Sequence, residues 1–247
     1  IKLVDHPSER KLHASSVPLI GGISIVISFF LALLLSPFGL GDFRFLMVGM
    51  SVMLIVGILD DHQDLPAAVK ITAQFLVALV LVKSGSVVTG VGDIFAWQDG
   101  NHQGLGFLAE PLTAVAIVGI MNAYNFIDGL DGLATTLFIL SCLILIGVAI
   151  EEDLEKHQFL LMLFLSTAIV FWCFNLSIFV GSDKKVFLGD AGSMIFGLVL
   201  VYFLIDLTEP RGARWLMTTT APWIVGLPLF DMFSVIILRL ARRSPLS

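Results

Sequence analysis

The sequence predicts an all-α protein, a polytopic bundle of transmembrane helices, and three observations carry that prediction. Hydrophobic residues fill 57% of the 247 positions and charged residues only 14%, against about 25% charged in a typical soluble domain. The mean hydropathy is +0.96. The apolar residues gather in about eight runs, each near the roughly 20 residues that cross a hydrocarbon core as a helix. So few charges cannot cover a water-facing surface, which excludes an ordinary soluble enzyme. A net charge of −6 without a basic stripe excludes nucleic acid as the main partner. Cys142 and Cys173, the only cysteines, lie inside apolar runs and read as small hydrophobes, not as a disulfide framework or zinc site.

Taken in order, the runs lie near residues 18–36, 43–59, 67–83, 108–127, 133–150, 158–181, 191–207 and 218–238. The third is interrupted by Lys70 and Gln74 and the last by Pro228 and Asp231, so these two are expected to be tilted, broken or pocket-lining. A polar, partly basic stretch with Lys2, Arg10, Lys11 and His13 precedes the first run, where a signal peptide would be apolar; the start at Ile1 reads as the N-terminus of a fragment. The longest connection, roughly 84–107, is rich in glycine. No internal repeat or low-complexity linker divides the chain, so residues 1–247 read as one integral membrane domain.

Threading eight spans assigns the loops to two faces. One face holds Lys2, Arg10, Lys11, Lys184, Lys185, Arg239, Arg242 and Arg243, and the other Arg44, Lys83, Lys156, Arg211 and Arg214. Basic residues collect on the cytoplasmic side, so the first face is expected to be inside and the 84–107 loop outside.

Asp60, Asp61, Asp64, Asp128, Asp131, Asp183 and Asp190 all fall on that inner face, although none was used to assign it. They come from three loops, each at the mouth of an apolar helix. In the first, Asp60-Asp61-His62-Gln63-Asp64, continuing the helix by one turn would put Asp60 and Asp64 on one face. Adjacent carboxylates call for a cation, and Mg²⁺ suits them because it takes carboxylate oxygens and completes its shell with water and substrate phosphate. The bland alternative is a solvated turn with aspartate caps. In the second, Asn122, Asn125, Asp128 and Asp131 recur at three-residue spacing, and Gly129 and Gly132 let backbone approach a ligand. The group can hold a sugar, a base or a metal, although Asp-Gly is also plain turn chemistry. In the third, Gly189-Asp190-Ala191-Gly192-Ser193 opens the seventh run, where backbone N–H groups can face an anion and Asp190 can hold a cation. Lys70 is either a lysine snorkelling to the interface or a phosphate contact.

These motifs, in this order and between these spans, resemble the polyprenyl-phosphate N-acetylhexosamine-1-phosphate transferases, the family of the bacterial MraY, WecA and TagO enzymes. The likeness covers nearly the whole chain: Asp5 to His13 followed by Pro18 to Gly22, DDxxD at Asp60 to Asp64, NxxNxxDGLDGL at Asn122 to Leu133, and FxGDxGS at Phe187 to Ser193. The resemblance implies a fold of about ten or eleven spans, of which this chain lacks the first helix and the C-terminal part, including the His-rich loop. It also implies a multi-pass enzyme of the bacterial inner membrane with a cytoplasmic, Mg²⁺-dependent site, Mn²⁺ being an alternative ion. The reaction would pass a sugar phosphate from a UDP-sugar to a polyprenyl phosphate lipid and release UMP.

Residue by residue, the resemblance makes Asp60, Asp61, Asp128 and Asp131 catalytic and Asp190 and Asn125 metal-binding. Lys70, Asn122, Asn175, Asp64, Gly189 and Ser193 are substrate-binding on the same basis. The partners are the UDP-sugar, the lipid and the membrane, with homodimerisation left open. The short acidic motif and the Pro228 to Met232 run look closer to the WecA and TagO branch, which uses UDP-GlcNAc, than to MraY, which uses UDP-MurNAc-pentapeptide. A remote reading, an ion-coupled transporter, predicts acids buried mid-span and inverted repeats.

Overall fold

The computed structural model describes residues 4–5, 17–39, 41–90, 104–178, 181, 184–208, 216 and 218–242. Several sequence readings lie outside them: Lys2, the His6 to His13 stretch with Arg10 and Lys11, Asp183, Arg211, Arg214, Arg243 and the middle of the 84–107 loop. Among the described residues, apart from a two-residue antiparallel pairing of β1 (Val4–Asp5) with β2 (Val17–Pro18) and an isolated bridge between Gly90 and Gly104, the regular structure is helical. The helices are α1 Gly21–Leu33, α2 Arg44–Gln63, α3 Ala67–Lys83, α4 Ala109–Ile127 and α5 Leu133–Glu151. They continue as α6 Glu155–Asn175, α7 Gly189–Thr208, α8 Ala221–Ile224 and α9 Gly226–Ala241.

Each expected run therefore appears as helix, but they are not equivalent. Among the described residues, five helical stretches are long and apolar enough to cross a membrane: Gly41–Gln63, Gly106–Ile127, Leu133–Glu151, Glu155–Asn175 and Gly189–Thr208. The expectation of eight full spans is corrected at three places. The first run yields only the 13 residues of α1, ending just before Pro37, Gly39 and Gly41. Lys70 and Gln74 dilute the 17 residues of α3. The last run is broken at Val225 into α8 and α9. The break has a chemical cause. Pro228 has no N–H to return to the Ile224 carbonyl one turn earlier, and the Ser141 hydroxyl of α5 donates to that carbonyl at 3.2 Å instead. Such replacement is what lipid-depth backbone requires, since water is not there to do it.

The architecture centres on α7. It is 94% buried over its apolar window and packs against α1, α2, α4 and α5. Phe196 of α7 stacks on Phe138 of α5 with ring centroids 3.9 Å apart, and Phe29 of α1 stacks on Phe164 of α6 at 4.0 Å. The surrounding helices turn large apolar side chains outward, among them Ile27, Leu31, Ile55, Leu143, Val170 and Phe230. An aqueous surface would not tolerate that band, whereas lipid requires it. Glycine permits the closest helix approaches: a Cβ on Gly57 of α2 would lie 2.2 Å from Ala191 Cα, and one on Gly22 of α1 would lie 2.4 Å from the Gly192 nitrogen.

Candidate active site

The C-terminal ends of α2, α4 and α6 and the N-terminal ends of α3, α5 and α7 share one end of the bundle, and the acidic motifs meet there. The last turn of α2 carries Asp60 and Asp61. Its helix stops at Gln63, and Asp64 takes a left-handed backbone (φ 48°) with its N–H on the Asp60 carbonyl at 2.9 Å. Asp64 is thus an exposed cap and not a third carboxylate on the face of Asp60; the helix does not run on by the turn that arrangement needs.

Asp60 is buried, at 5% exposure, and both of its oxygens are engaged. Oδ1 accepts the Leu65 N–H at 2.8 Å and Oδ2 accepts Lys70 Nζ at 2.7 Å. Lys70 also donates to Asp190 Oδ2 at 3.2 Å, so one ammonium joins carboxylates from α2 and α7. Lys70 therefore faces the acidic cluster, and the snorkelling alternative is not what is observed. The N-terminus of α7 receives an anion, as its glycine-rich start predicts, but that anion is the protein's own: Asp61 Oδ1 accepts the Asp190 N–H at 2.9 Å. Gly189 is required at this join, with φ +74° and a virtual Cβ only 2.6 Å from Asp61 Oδ2.

From α4, Asn125 donates to Ser193 Oγ at 3.0 Å, and Ser193 donates to the Asp190 carbonyl at 3.2 Å. Asn122, expected at a substrate, is turned into the bundle instead. Its Nδ2 donates to Gln74 Oε1 at 2.6 Å and to the Val118 carbonyl at 2.8 Å. Asn175 is a buried brace: it accepts the Gly132 N–H at 2.6 Å and donates to the Val186 carbonyl at 2.8 Å, tying the 128–132 turn to the segment that leads into α7. Asp131 pairs with Lys185, whose Nζ also sits 5.1 Å from the centre of the Phe187 ring. Asp128 has no hydrogen-bond or cation partner among the described residues. Burial, reinforced by the negative charges of Asp190, Asp131 and Asp61, pushes its carboxyl well above the ordinary carboxylate range.

Asp60 and Asp190 thus share one ammonium, Lys70, while Asp61 and Asp128 add two carboxyl groups with no cation of their own among the described residues. That hard-oxygen set suits a divalent cation of the Mg²⁺ kind. Among the described residues no three acidic, histidine or cysteine side chains are gathered to hold an ion by themselves. The fit is therefore to an ion that takes one or two carboxylates, with Asp190 and the unpartnered Asp128 the available ones, and draws its other ligands from water and phosphate. At the other end of the bundle a cavity of about 480 Å³ is lined by Phe38, Asp42, Tyr202 and the His157–Asp206 pair, apart from this cluster.

Residues 43–208 match the family model described as Glycosyl transferase family 4. The chain belongs to that family. The undecaprenyl-phosphate alpha-N-acetylglucosaminyl 1-phosphate transferase of Yersinia pestis is 31% identical over 253 residues, covering all of this chain and 67% of the relative. The enzyme of the same name from Escherichia coli (strain K12) is 30% identical over 267 residues, covering 100% and 66%. A Bacillus subtilis (strain 168) protein named as a probable undecaprenyl-phosphate N-acetylglucosaminyl 1-phosphate transferase is 32% identical over 249 residues, covering 100% and 67%. The chain spans about two thirds of the length of these curated relatives. In this family 4 member Gln74, which with Lys70 marks the third run as tilted, broken or pocket-lining in the sequence, proves to be the inward partner of Asn122, a pairing the sequence does not show. The available signal was its place one turn after Lys70.

Proposed function

We propose that this family 4 protein transfers N-acetylglucosamine-1-phosphate from UDP-GlcNAc to undecaprenyl phosphate and releases UMP, at the cytoplasmic face of a bacterial inner membrane. One observation supports the reading above the others: Lys70 bridges Asp60 and Asp190 at the common end of helices that the sequence separates widely. A site at helix ends is reachable both by a lipid phosphate at the membrane surface and by a soluble nucleotide sugar. The names of the relatives supply the transferred group, N-acetylglucosaminyl 1-phosphate, and the acceptor, undecaprenyl phosphate. The larger count of basic residues on this face supports the cytoplasmic assignment.

In the reaction a lipid phosphate oxygen attacks the phosphorus that bears the sugar. A new P–O–P linkage forms, the old one breaks, and UMP departs with the bonding electron pair. The obstacle is like charge meeting like charge, and catalysis is mainly charge neutralisation and alignment. Mg²⁺, when bound, supplies positive charge to the phosphates, with Asp190 and Asp128 as the residues that hold it. Lys70 contributes a fixed ammonium. Asp61 holds the α7 N-terminus in register through the Asp190 N–H. It is also the member of the acidic pair free of Lys70, and so the acceptor, at Oδ2, for a proton from the lipid phosphate. Asp131 and Lys185 anchor the rim.

The deciding experiment supplies membranes containing the protein with undecaprenyl phosphate and either UDP-GlcNAc or UDP-MurNAc-pentapeptide, with and without EDTA, and measures UMP. Release from UDP-GlcNAc alone, abolished by EDTA and restored by Mg²⁺, is expected. Release only from the pentapeptide donor would move the protein to the other branch, and release from neither would overturn the transferase reading. The transporter alternative has no support here, because the clustered acids lie at helix ends.

A further inference from the structure

Lys70 does not stand alone on α3. One turn further on lies Gln74, at 1% exposure, in a helix otherwise apolar at that depth. Its amide is committed on both sides: Oε1 accepts Asn122 Nδ2 at 2.6 Å, and Nε2 donates to Met194 Sδ at 3.3 Å. The orientation is dictated from α4. Both hydrogens of Asn122 Nδ2 are used, one of them by the Val118 carbonyl, which can only accept. Gln74 must therefore present its oxygen to Asn122 and its nitrogen to the sulfur.

The two residues make two layers on the same helices. In the outer layer Lys70 of α3 meets Asp190 of α7, and in the inner layer Gln74 meets Met194, each pair one turn below the last. A thioether is a weak acceptor, so this amide is a costly way to glue helices that apolar side chains would join as well. What the amide adds is direction. A lysine Nζ lies about 8 Å from its helix axis, the sum of the 2.3 Å backbone radius and the side chain, so a rotation of α3 by about 20° swings it by about 3 Å. That exceeds the tolerance of either contact that Lys70 makes.

We propose that Gln74 is a positioning residue: by bonding to Asn122 on α4 and Met194 on α7 it fixes the rotation of α3 and so holds Lys70 Nζ between Asp60 and Asp190. The proposal rests on the reading of Lys70 as part of the reacting site only for its effect on turnover; the position of Lys70 is tested without turnover.

The test is competitive labelling of the membrane-embedded protein with an amine-reactive reagent, read lysine by lysine by mass spectrometry. Gln74→Met keeps length and apolar packing while removing both hydrogen bonds. Its expected effect is a rise of about threefold or more in Lys70 labelling relative to Lys83 and Lys156, as a displaced ammonium loses its two carboxylates. Unchanged Lys70 labelling, or an equal rise at all three lysines, would overturn the proposal, the second outcome marking a general loosening. Should that variant fail to accumulate, Met194→Leu withdraws only the sulfur acceptor and is judged by the same ratio. In the UMP assay Gln74→Met is expected to lower kcat about tenfold in the wild-type background and by less than about twofold when added to Lys70→Ala. Multiplying losses would assign Gln74 a role of its own. Failure of both donors in the assay would remove the transferase reading and leave the labelling result standing.

Discussion

Replacing Gly57 with alanine tests whether the site depends on the close approach of α2 to α7. The added Cβ would lie 2.2 Å from Ala191 Cα and 2.5 Å from both the Ala191 nitrogen and Cβ. Ordinary contact begins near 3.4 Å, and the obstructing atoms are mainly backbone, so the helices must part by about 1.2 Å, the difference between 3.4 and 2.2 Å. Asp61 lies one turn along α2 from Gly57, and Asp190 immediately precedes Ala191. The same separation stretches the 2.9 Å bond from the Asp190 N–H to Asp61 beyond hydrogen-bond range. Overpacking of this kind costs about 1–3 kcal/mol of stability, and a misplacement of about 1 Å at reacting groups costs about a hundredfold in rate. The assay is UMP release per mole of folded protein in membranes. Gly119→Ala and Gly147→Ala serve as controls, because a Cβ there meets nothing within 4 Å. A Gly57→Ala protein within about threefold of wild type would refute the claim that this packing sets the site.

Asp190→Asn keeps shape and removes charge; the expected result is a loss of turnover together with a raised Mg²⁺ requirement, read by titrating Mg²⁺ and Mn²⁺, and an unchanged metal dependence would reject the assignment. Asp128 is raised by burial and neighbouring charge, so the folded state binds more protons than the unfolded state once pH climbs past the ordinary carboxylate value, and stability falls with rising pH. In EDTA, Asp128→Asn is therefore expected to unfold at a higher temperature than wild type at neutral pH, an advantage that shrinks toward pH 4; a lower midpoint at neutral pH would contradict it. Ser141→Ala leaves the Ile224 carbonyl without a donor at about 1–3 kcal/mol, measured as a drop in thermal midpoint in detergent. Adding Pro228→Ala, which supplies the missing N–H, should recover most of that loss.

Much of this was legible in the sequence, for identifiable reasons. Apolar runs report helices directly in a membrane protein, because the solvent leaves no other way to satisfy the backbone. The one-sidedness of Asp60, Asp61, Asp128 and Asp190 needed only the alternation of spans, and the structure has them at one end. What the sequence left open were the side-chain orientations. Asn122 and Asn125 share a spacing, yet one bonds inward to Gln74 and the other reaches Ser193 beside Asp190. Asp64 completes a motif on paper but caps a helix in space, because whether α2 runs on past Gln63 is a one-turn question decided by Leu65 and Pro66. Asn175 reads as a ligand and serves as a brace between two loops, a role fixed by the Gly132 amide 43 residues earlier and the Val186 carbonyl 11 residues later.

The placement of Asp190 at the head of α7 joins the fold to the proposed chemistry. A group that must meet a cation and two phosphates has to be held to within a fraction of an ångström, and the element least able to shift is the one packed on every side. α7 is that element, while α9, which packs chiefly against α4 and exposes Phe230, Phe233 and Ile237, is held by far fewer neighbours. The glycines facing α7 do not lend it freedom; they let α1 and α2 come close enough to deny it any. Asp61 closes the arrangement from outside by accepting the Asp190 N–H, so the backbone of the residue that would meet the metal is fixed by a carboxylate from another helix. In this architecture the acidic pair has divided duties before any substrate arrives. Asp60 fixes Lys70, Asp61 fixes α7, and the carboxyl groups of Asp190 and Asp128 are what an incoming cation would meet, drawing the buried Asp128 into its ionised form.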